Sequence, residues 1–300
     1  MDELKKIWID GKLLDWKDAN VHVLTHTLHY GSGAFEGIRC YNTKKGTSIF
    51  RLKEHIDRLY KSADALLMKV PYSKQEITKA IFDVIKSNDL KECYIRPIIY
   101  FGYGSMGLNT IPCPVNCSVI CWKWGAYLGE DGLKKGITTK VSVQKRLVGP
   151  LNKAKICGNY FVSSLAKREA LAAKFDEAIM LDTNGNVAEG SGENIFLVKN
   201  GKIYTPKEGA ILMGITRDSA IVIARDLGYE VIEKELKVSD LYSADEIFFT
   251  GTAAEVTPVR QVDDEKISDG IGPVTEKIQK KFFEMIKNGE PHSEWFTVVK

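Results

Sequence analysis

Four glycines, at positions 125, 129, 132 and 136, fall within a dozen residues between two strand-like runs, 116–122 and 137–143. Glycine has no side chain to pack and loses more backbone freedom on ordering than any other residue, so such a run interrupts regular structure. It divides the 300 residues into a part spanning 1–122 and a part spanning 137–300, with 123–136 as an interdomain loop. Each part is long enough to bury a core of its own.

The totals argue against several classes of function. The formal net charge of +3 is spread along the chain without a basic block, which speaks against nucleic acid or an acidic membrane surface as a partner. The first residues, Met1 to Lys6, lack the apolar core of a signal peptide, and no later run is long enough to span a bilayer. A cytoplasmic protein is expected. The six cysteines form no CxxC pair. Cys113, Cys117 and Cys121 recur every four residues, but 117–121 reads as a strand and Pro112 and Pro114 bracket the first. They are expected to be buried thiols rather than metal ligands.

Periodicity places the elements. Residues 7–14 form a hairpin turning at Asp10-Gly11, and 34–41 reads as one strand after the tight Gly31-Ser32-Gly33. His22, His26 and His29 have no acid or thiol at ligand spacing, so packing and hydrogen-bonding roles are expected. Apolar residues at 52, 56, 59, 63, 66 and 70 give a helix over 52–70, and a second covers 75–88. Residues 93–101 read as a strand in which Pro97 implies an edge or a bulge. The GxGxxG at 102–107 is followed by Pro112 and Pro114 instead of a helix, so it is no dinucleotide site. Asp182, Asn184, Asn186 and Glu193 imitate a calcium loop, but Val187 stands where glycine is needed and the flanks are strands. A helix opens near Gly214 with Thr216 as its expected N-cap, and another covers 273–288 behind Pro273.

Four separated features suggest one chemistry. Lys155 lies in a loop just ahead of a helix over 160–174, where packing can strip its charge and leave a nucleophile. The helix start at 214–216 offers backbone N–H groups to a phosphate. Gly251-Thr252-Ala253-Ala254 is a turn, and Glu189 supplies a carboxylate beside Gly190-Ser191-Gly192. A phosphorylated aldehyde cofactor on a lysine would use all four.

At these residues the chain resembles the branched-chain amino-acid aminotransferases, class IV (fold-type IV) pyridoxal-phosphate enzymes. The motifs that carry the likeness run nearly end to end: His29-Tyr30-Gly31, Phe35-Glu36-Gly37-Ile38-Arg39, His55 to Leu59, Tyr94-Ile95-Arg96-Pro97, Trp124 to Tyr127, Ala154-Lys155 with Gly158-Asn159-Tyr160, Glu189 to Phe196, Gly214 to Arg217 and Gly251 to Glu255. Cys157 departs from several relatives, which have a smaller residue there.

The resemblance implies an α+β fold, with a small N-terminal α/β domain and a larger C-terminal domain built on a barrel-like sheet. It implies pyridoxal 5′-phosphate bound to Lys155 as a Schiff base; Lys153 is the rival by proximity, but only Lys155 stands at the family's position. Glu189 would face the pyridine nitrogen, Tyr160 the ring oxygen, and Leu212 the ring face. Arg58, Ile215, Thr216 and Thr252 would hold the phosphate. Phe35, Gly37, Trp124 and Tyr127 would wall the substrate pocket, with Tyr30 arriving from the neighbouring subunit of a homodimer or higher homo-oligomer. Arg96 would meet the distal carboxylate of glutamate, Tyr94 and the Thr252-Ala253 backbone the α-carboxylate, and Arg39 would support the pocket. The implied reaction moves the amino group of L-leucine, L-isoleucine or L-valine to 2-oxoglutarate. D-amino-acid aminotransferases and aminodeoxychorismate lyases are the rivals in the same class; the former carry an Arg-x-His pair where this chain has Arg96-Pro97-Ile98. A nucleotide-binding oxidoreductase is the rival from outside it.

Overall fold

A computed structural model describes residues 3–299. The chain falls into two compact units. The first holds the chain through Trp124, the short segment Ala154–Asn159, and the C-terminal residues from 286 onward. The second holds Gly125–Lys153 and Tyr160–Met285.

The first unit is an antiparallel sheet covered by two helices. It begins with the hairpin β1 (Lys6–Ile9) and β2 (Lys12–Asp15), then a short helix α1 (His26–Tyr30). There follow β3 (Gly33–Phe35), β4 (Ile38–Thr43), β5 (Gly46–Phe50), the helices α2 (Leu52–Ala65) and α3 (Lys74–Ser87), and the long strands β6 (Cys93–Phe101) and β7 (Val115–Trp122). Leu59, Ile77, Ile81, Ile85, Ile95 and Ile99 are all sealed from solvent between helices and sheet. Burying each such side chain stabilises the fold by roughly 1.5–3 kcal/mol. α3 starts from a capping box in which Ser73 and Glu76 satisfy each other's backbone donors. α2 stops at Ala65 rather than near Val70, because Leu67 turns to a positive φ of 57°.

The run 34–41 is two strands, interrupted at Glu36 and Gly37. The register is continuous across the interruption, with Phe35 opposite Ile98 and Ile38 opposite Ile95. Glu36 therefore faces Pro97, whose carbonyl accepts from the Glu36 N–H at 3.0 Å. Having no N–H, Pro97 cannot return the second bond. β6 is an interior strand, paired with β7 on its other side, so Pro97 marks a gap in the ladder instead of a sheet edge. Glu36 and Gly37 stand in that gap.

The second unit is a curled mixed sheet. Its elements are α4 (Glu130–Lys135), β8 (Ile137–Arg146), α5 (Tyr160–Ala172), β9 (Glu177–Asp182), β10 (Val187–Gly190), β11 (Asn194–Lys199), β12 (Lys202–Pro206), α6 (Ile215–Asp226) and β13 (Val231–Lys234). They continue with α7 (Val238–Tyr242), β14 (Glu246–Gly251), β15 (Glu255–Val262), β16 (Glu265–Lys266) and α8 (Pro273–Asn288). The last strand, β17 (Phe296–Val298), pairs with β5 in the first unit's sheet. The glycine-rich stretch after Trp124 contains α4, flanked by Gly129 and Gly136 at φ of 83° and 79°.

The strand order in the second sheet is β10-β9-β8-β15-β14-β11-β12-β13. One bond links β10 to the residues just past β13, the Val187 N–H donating to the Leu236 carbonyl at 2.8 Å. The curled sheet packs around a core of its own. Ile179, Leu181, Val187, Ile195, Leu197, Ile247, Phe249 and Val259 alternate inward to fill it. Phe196 and Phe248, one residue out of step, stack on each other with centroids 4.8 Å apart.

Candidate active site

In the first unit, Lys155 lies beside β3, its segment joined to that strand by an isolated bridge. Its carbonyl accepts from the Phe35 N–H at 3.0 Å, its N–H donates to Ser62 Oγ at 2.9 Å, and its neighbour Ile156 bridges to Ala34. The backbone is thus fixed on both sides before the side chain begins. Its ammonium stands 4.9 Å from the centre of the Phe35 ring. Burial pushes the amine down to about 8; the pull of Glu36 opposes this and the charge of Arg58 adds to it. A lysine in that range keeps a usable neutral fraction near neutral pH. Lys153, by contrast, is exposed and pairs with Glu208 at 2.7 Å.

Glu36 sits beneath, fully buried. Arg58 grips it as a fork, Nε to Oε1 at 2.6 Å and Nη2 to Oε2 at 2.9 Å. His55 Nδ1 lies 2.7 Å from Oε2. His55 and Arg58 are three apart on α2 and so share the face turned to the sheet. Burial alone would raise the Glu36 carboxyl, but Arg58 and then His55 outweigh it and hold it well below the usual carboxylate range. For His55 burial prevails over the attraction of Glu36 and lowers it, so a neutral ring donates through Nδ1. Glu36 and His55 lie inside motifs visible in the sequence, yet the sequence reading gives them no role. A lone acid between Phe35 and Gly37 in an apolar strand is the signal that points to one.

Beside this cluster, Arg96 is wrapped in aromatic rings, with its guanidinium 4.7 Å from the Phe35 centroid and 5.5 Å from those of Tyr94 and Trp122. Its buried Nε has no hydrogen-bond partner. Tyr94 packs edge-on to Trp124 at 4.6 Å, and Arg39 Nη1 donates to the Trp124 carbonyl at 3.4 Å. A Cβ on Gly37 would lie 1.8 Å from the Tyr94 hydroxyl; only glycine leaves Tyr94 in place. Tyr30 stands apart on α1, 44% exposed, against His26 and His29. His26 is held by Ser32 and by the Gly107 carbonyl, and His29 by the Val23 carbonyl. Those histidines pack and bond, as expected.

The second unit carries the remaining residues. Glu189 belongs to β10 rather than to a loop, immediately after a register shift between Val187 and Glu189. Arg146 closes β8 after a shift of its own, between Val141 and Lys145. Bulges of this kind re-aim side chains, and here they set Arg146 Nη2 2.8 Å from Glu189 Oε1 with both residues buried. Glu189 Oε2 accepts from the Leu212 N–H at 3.0 Å and from Asn194 Nδ2 at 3.4 Å. Asn194 Nδ2 also donates to the Leu212 carbonyl at 2.8 Å. Leu212 is held at both of its backbone groups. Sequence reasoning misses the roles of Arg146 and Asn194, because the shifts that aim Arg146 leave no trace in residue periodicity.

Two residues on, Gly214 and not Thr216 is the N-cap of α6, and no side chain caps it. A Cβ there would lie 2.0 Å from Asn194 Oδ1. Ile215 and Thr216 are the first two helical residues, both buried. An N-terminus without a capping side chain leaves its amides to an anion. Thr252 and Ala253 form the turn between β14 and β15. Tyr160 opens α5, and the Tyr127 ring lies under Lys167 Nζ at 5.5 Å. Lys167 in turn pairs with the fully buried Glu177 at 2.7 Å.

Taken separately, each unit offers groups of the kinds pyridoxal phosphate uses: the first an enclosed lysine with a lowered pKa and a buried arginine fork, the second a helix N-terminus with an open cap and a buried carboxylate. Among the described residues no group of three or more His, Cys, Asp or Glu is arranged to hold a metal ion.

Residues 33–262 match the amino-transferase class IV family, and the chain belongs to it. Within that family the likeness is to branched-chain members. Over 298 residues the chain is 49% identical to the branched-chain-amino-acid aminotransferase of Pseudomonas aeruginosa, covering 98% of this chain and 97% of that one. The crystal structure of the Escherichia coli branched-chain amino acid aminotransferase superposes with a TM-score of 0.96 at 43% identity, over 99% of this chain and 100% of the other. A second crystal structure, of the T.th. branched-chain amino acid aminotransferase with pyridoxamine 5′-phosphate, gives 0.96 at 45% identity, over 100% of both chains.

Proposed function

We propose that this chain is a branched-chain-amino-acid transaminase, transferring the amino group of L-leucine, L-isoleucine or L-valine to 2-oxoglutarate with pyridoxal 5′-phosphate. The observation that carries it is the enclosed Lys155 amine, lowered to about 8 beside the arginine-locked Glu36. Pyridoxal phosphate, when bound, supplies the carbonyl that takes the amino group and a ring that accepts the electron pair left at Cα. Lys155 would hold the cofactor through Nζ, and its neutral amine would take the proton from substrate Cα as a base. In the first unit Arg58 would bind the phosphate, and in the second the amides of Ile215 and Thr216 and Thr252 would do so. Glu189, anchored by Arg146 and the Leu212 N–H, would serve the ring nitrogen, Tyr160 the ring oxygen and Leu212 the ring face.

Specificity follows from the aromatic lining. In the first unit Phe35, Gly37 and Trp124 would offer an apolar wall to a branched side chain and keep water off it, a role the resemblance also gives to Tyr127. Arg96, already desolvated by three rings, receives the distal carboxylate when glutamate or 2-oxoglutarate enters. Tyr94 would hold the α-carboxylate, a role the resemblance also gives to the Thr252–Ala253 backbone, and Arg39 braces Trp124. Donor and acceptor use one site in turn, so ping-pong kinetics follow.

We further propose a cytoplasmic homodimer in which Tyr30 serves the partner's pocket. Val23, Leu28, Tyr30, Leu108 and Ile111 are exposed, the last at 90%. Their segments are tied together by the His22–Tyr103 stack and the His26–Gly107 bond. Apolar surface of this kind on a folded unit marks an interface. No helix among the described residues is long and apolar enough to cross a membrane.

The test is incubation with pyridoxal phosphate, 2-oxoglutarate and either L-leucine or D-alanine. Glutamate formed from L-leucine supports the assignment. Turnover of D-alanine alone overturns it, as does, in a parallel incubation, turnover of aminodeoxychorismate alone.

A further inference from the structure

The Glu36–His55–Arg58 cluster is built more firmly than packing alone explains. Glu36 is fully buried, yet its carboxylate receives Nε and Nη2 of Arg58 and Nδ1 of His55 at 2.6, 2.9 and 2.7 Å. A buried ion pair is a poor device for stability, because an apolar replacement of similar volume is often neutral or better. What such a pair does supply is direction. An arginine has a long, rotamer-rich side chain, and a planar fork on a fixed carboxylate removes that freedom.

The carboxylate is itself fixed. Glu36 stands in the ladder gap opposite Pro97, with its N–H on the Pro97 carbonyl, and the Gly37 N–H donates to Oε2 at 3.3 Å. His55 holds the same oxygen from α2, one turn before Arg58. The fork uses the Nε–Nη2 edge of the guanidinium, so the direction of the Nη1 edge follows from where Glu36 lies.

We propose that Glu36, steadied by His55, is a positioning residue for Arg58: it aims the guanidinium at the phosphate ester of the cofactor and does not touch the cofactor itself. The inference rests on the functional reading above and adds a residue to it. Its consequence is selective. Losing Glu36 weakens the recognition of the phosphate and leaves recognition of the ring and its aldehyde in place.

The experiment measures dissociation constants of pyridoxal phosphate and of pyridoxal, which lacks the phosphate, by absorption, for the full chain and for Glu36→Gln. Gln preserves volume but presents an N–H₂ where Arg58 needs an acceptor. The expected result is pyridoxal phosphate weakened on the order of 10-fold or more, as for loss of a charge-assisted hydrogen bond, with pyridoxal within about twofold of the parent chain. Equal loss for both vitamers, or no loss for either, overturns the proposal. Should Glu36→Gln fail to fold, as judged by circular dichroism, His55→Gln is held to the same criterion with a smaller expected shift. A parent chain that binds neither vitamer removes the functional reading and this inference together.

Discussion

Both units bury a carboxylate almost completely, and they treat it in opposite ways. In the first unit Glu36 faces the Arg58 fork and His55, which hold it well below the usual carboxylate range. In the second, Glu193 is enclosed beside Glu177, and burial followed by that neighbour pushes it up to about 8. Depth of burial is the same; the partners differ. The first unit therefore presents a permanent charge lattice of Glu36, Arg58 and Arg96 around an amine lowered to about 8. The second carries a proton in reserve at Glu193, next to the Glu189–Arg146 pair. Fixed charge suits the binding of anionic groups. A carboxylate that keeps its proton limits the negative charge gathered around Glu189, which must share its strand end with Glu193 and Glu177.

The sharpest break of this comparison removes the first unit's amine. Lys155→Ala is expected to lower L-leucine transamination on the order of 10⁴-fold or more, since base and covalent anchor go together, with a cooperative melt retained at an unfolding midpoint no lower than the parent's, because a buried lysine with a lowered pKa costs the fold stability at neutral pH. Steady-state rates and thermal melts check both halves. Removing the second unit's carboxylate comes next. Glu189→Gln should lower kcat on the order of 10²- to 10³-fold and also cost stability, since Arg146 is left buried without its partner; denaturant midpoints read the second effect.

Arg96→Ala tests the selectivity of the first unit's cations. KM for glutamate should rise on the order of 10- to 100-fold, as for loss of a charged hydrogen-bond partner, and KM for leucine much less. An equal rise for both would place Arg96 at the α-carboxylate or in packing alone.

The smallest effect is a pH slope. Glu193 titrates near 8 in the fold and near 4.5 when unfolded. Between these values the folded state holds a proton that the unfolded state lacks, so stability falls as pH rises from about 5 to 8. Lys155 has the opposite sign in a higher window: from about 8 to 10.5 the unfolded chain holds the extra proton, and stability rises with pH. Glu193→Gln should flatten the first slope and leave the second. Urea midpoints across pH 5–8 check this, and an unaltered slope would show that Glu193 does not carry that proton.

Much of this is legible in the residues. The hairpin at Asp10-Gly11, the α3 helix and β6 follow from turn chemistry and period, and Lys155 just ahead of a helix is recognisable as a candidate nucleophile. The stop of α2 at Ala65 is not, because the apolar spacing continues past it to Leu66 and Val70 while Leu67 bends the backbone. Residue preference makes Thr216 the cap of α6, yet close approach to Asn194 requires Gly214 there. The roles of Glu36 and Arg146 depend on what lies across a sheet or past a bulge. Local patterns describe neighbours along the chain, and these residues take their meaning from neighbours in space.

The central claim is tested most directly by reducing the protein loaded with pyridoxal phosphate using borohydride, digesting it, and locating the added phosphopyridoxyl mass. The expected result is one modified peptide carrying the mass on Lys155. A mass on the exposed Lys153, on another lysine, or on none would contradict the account.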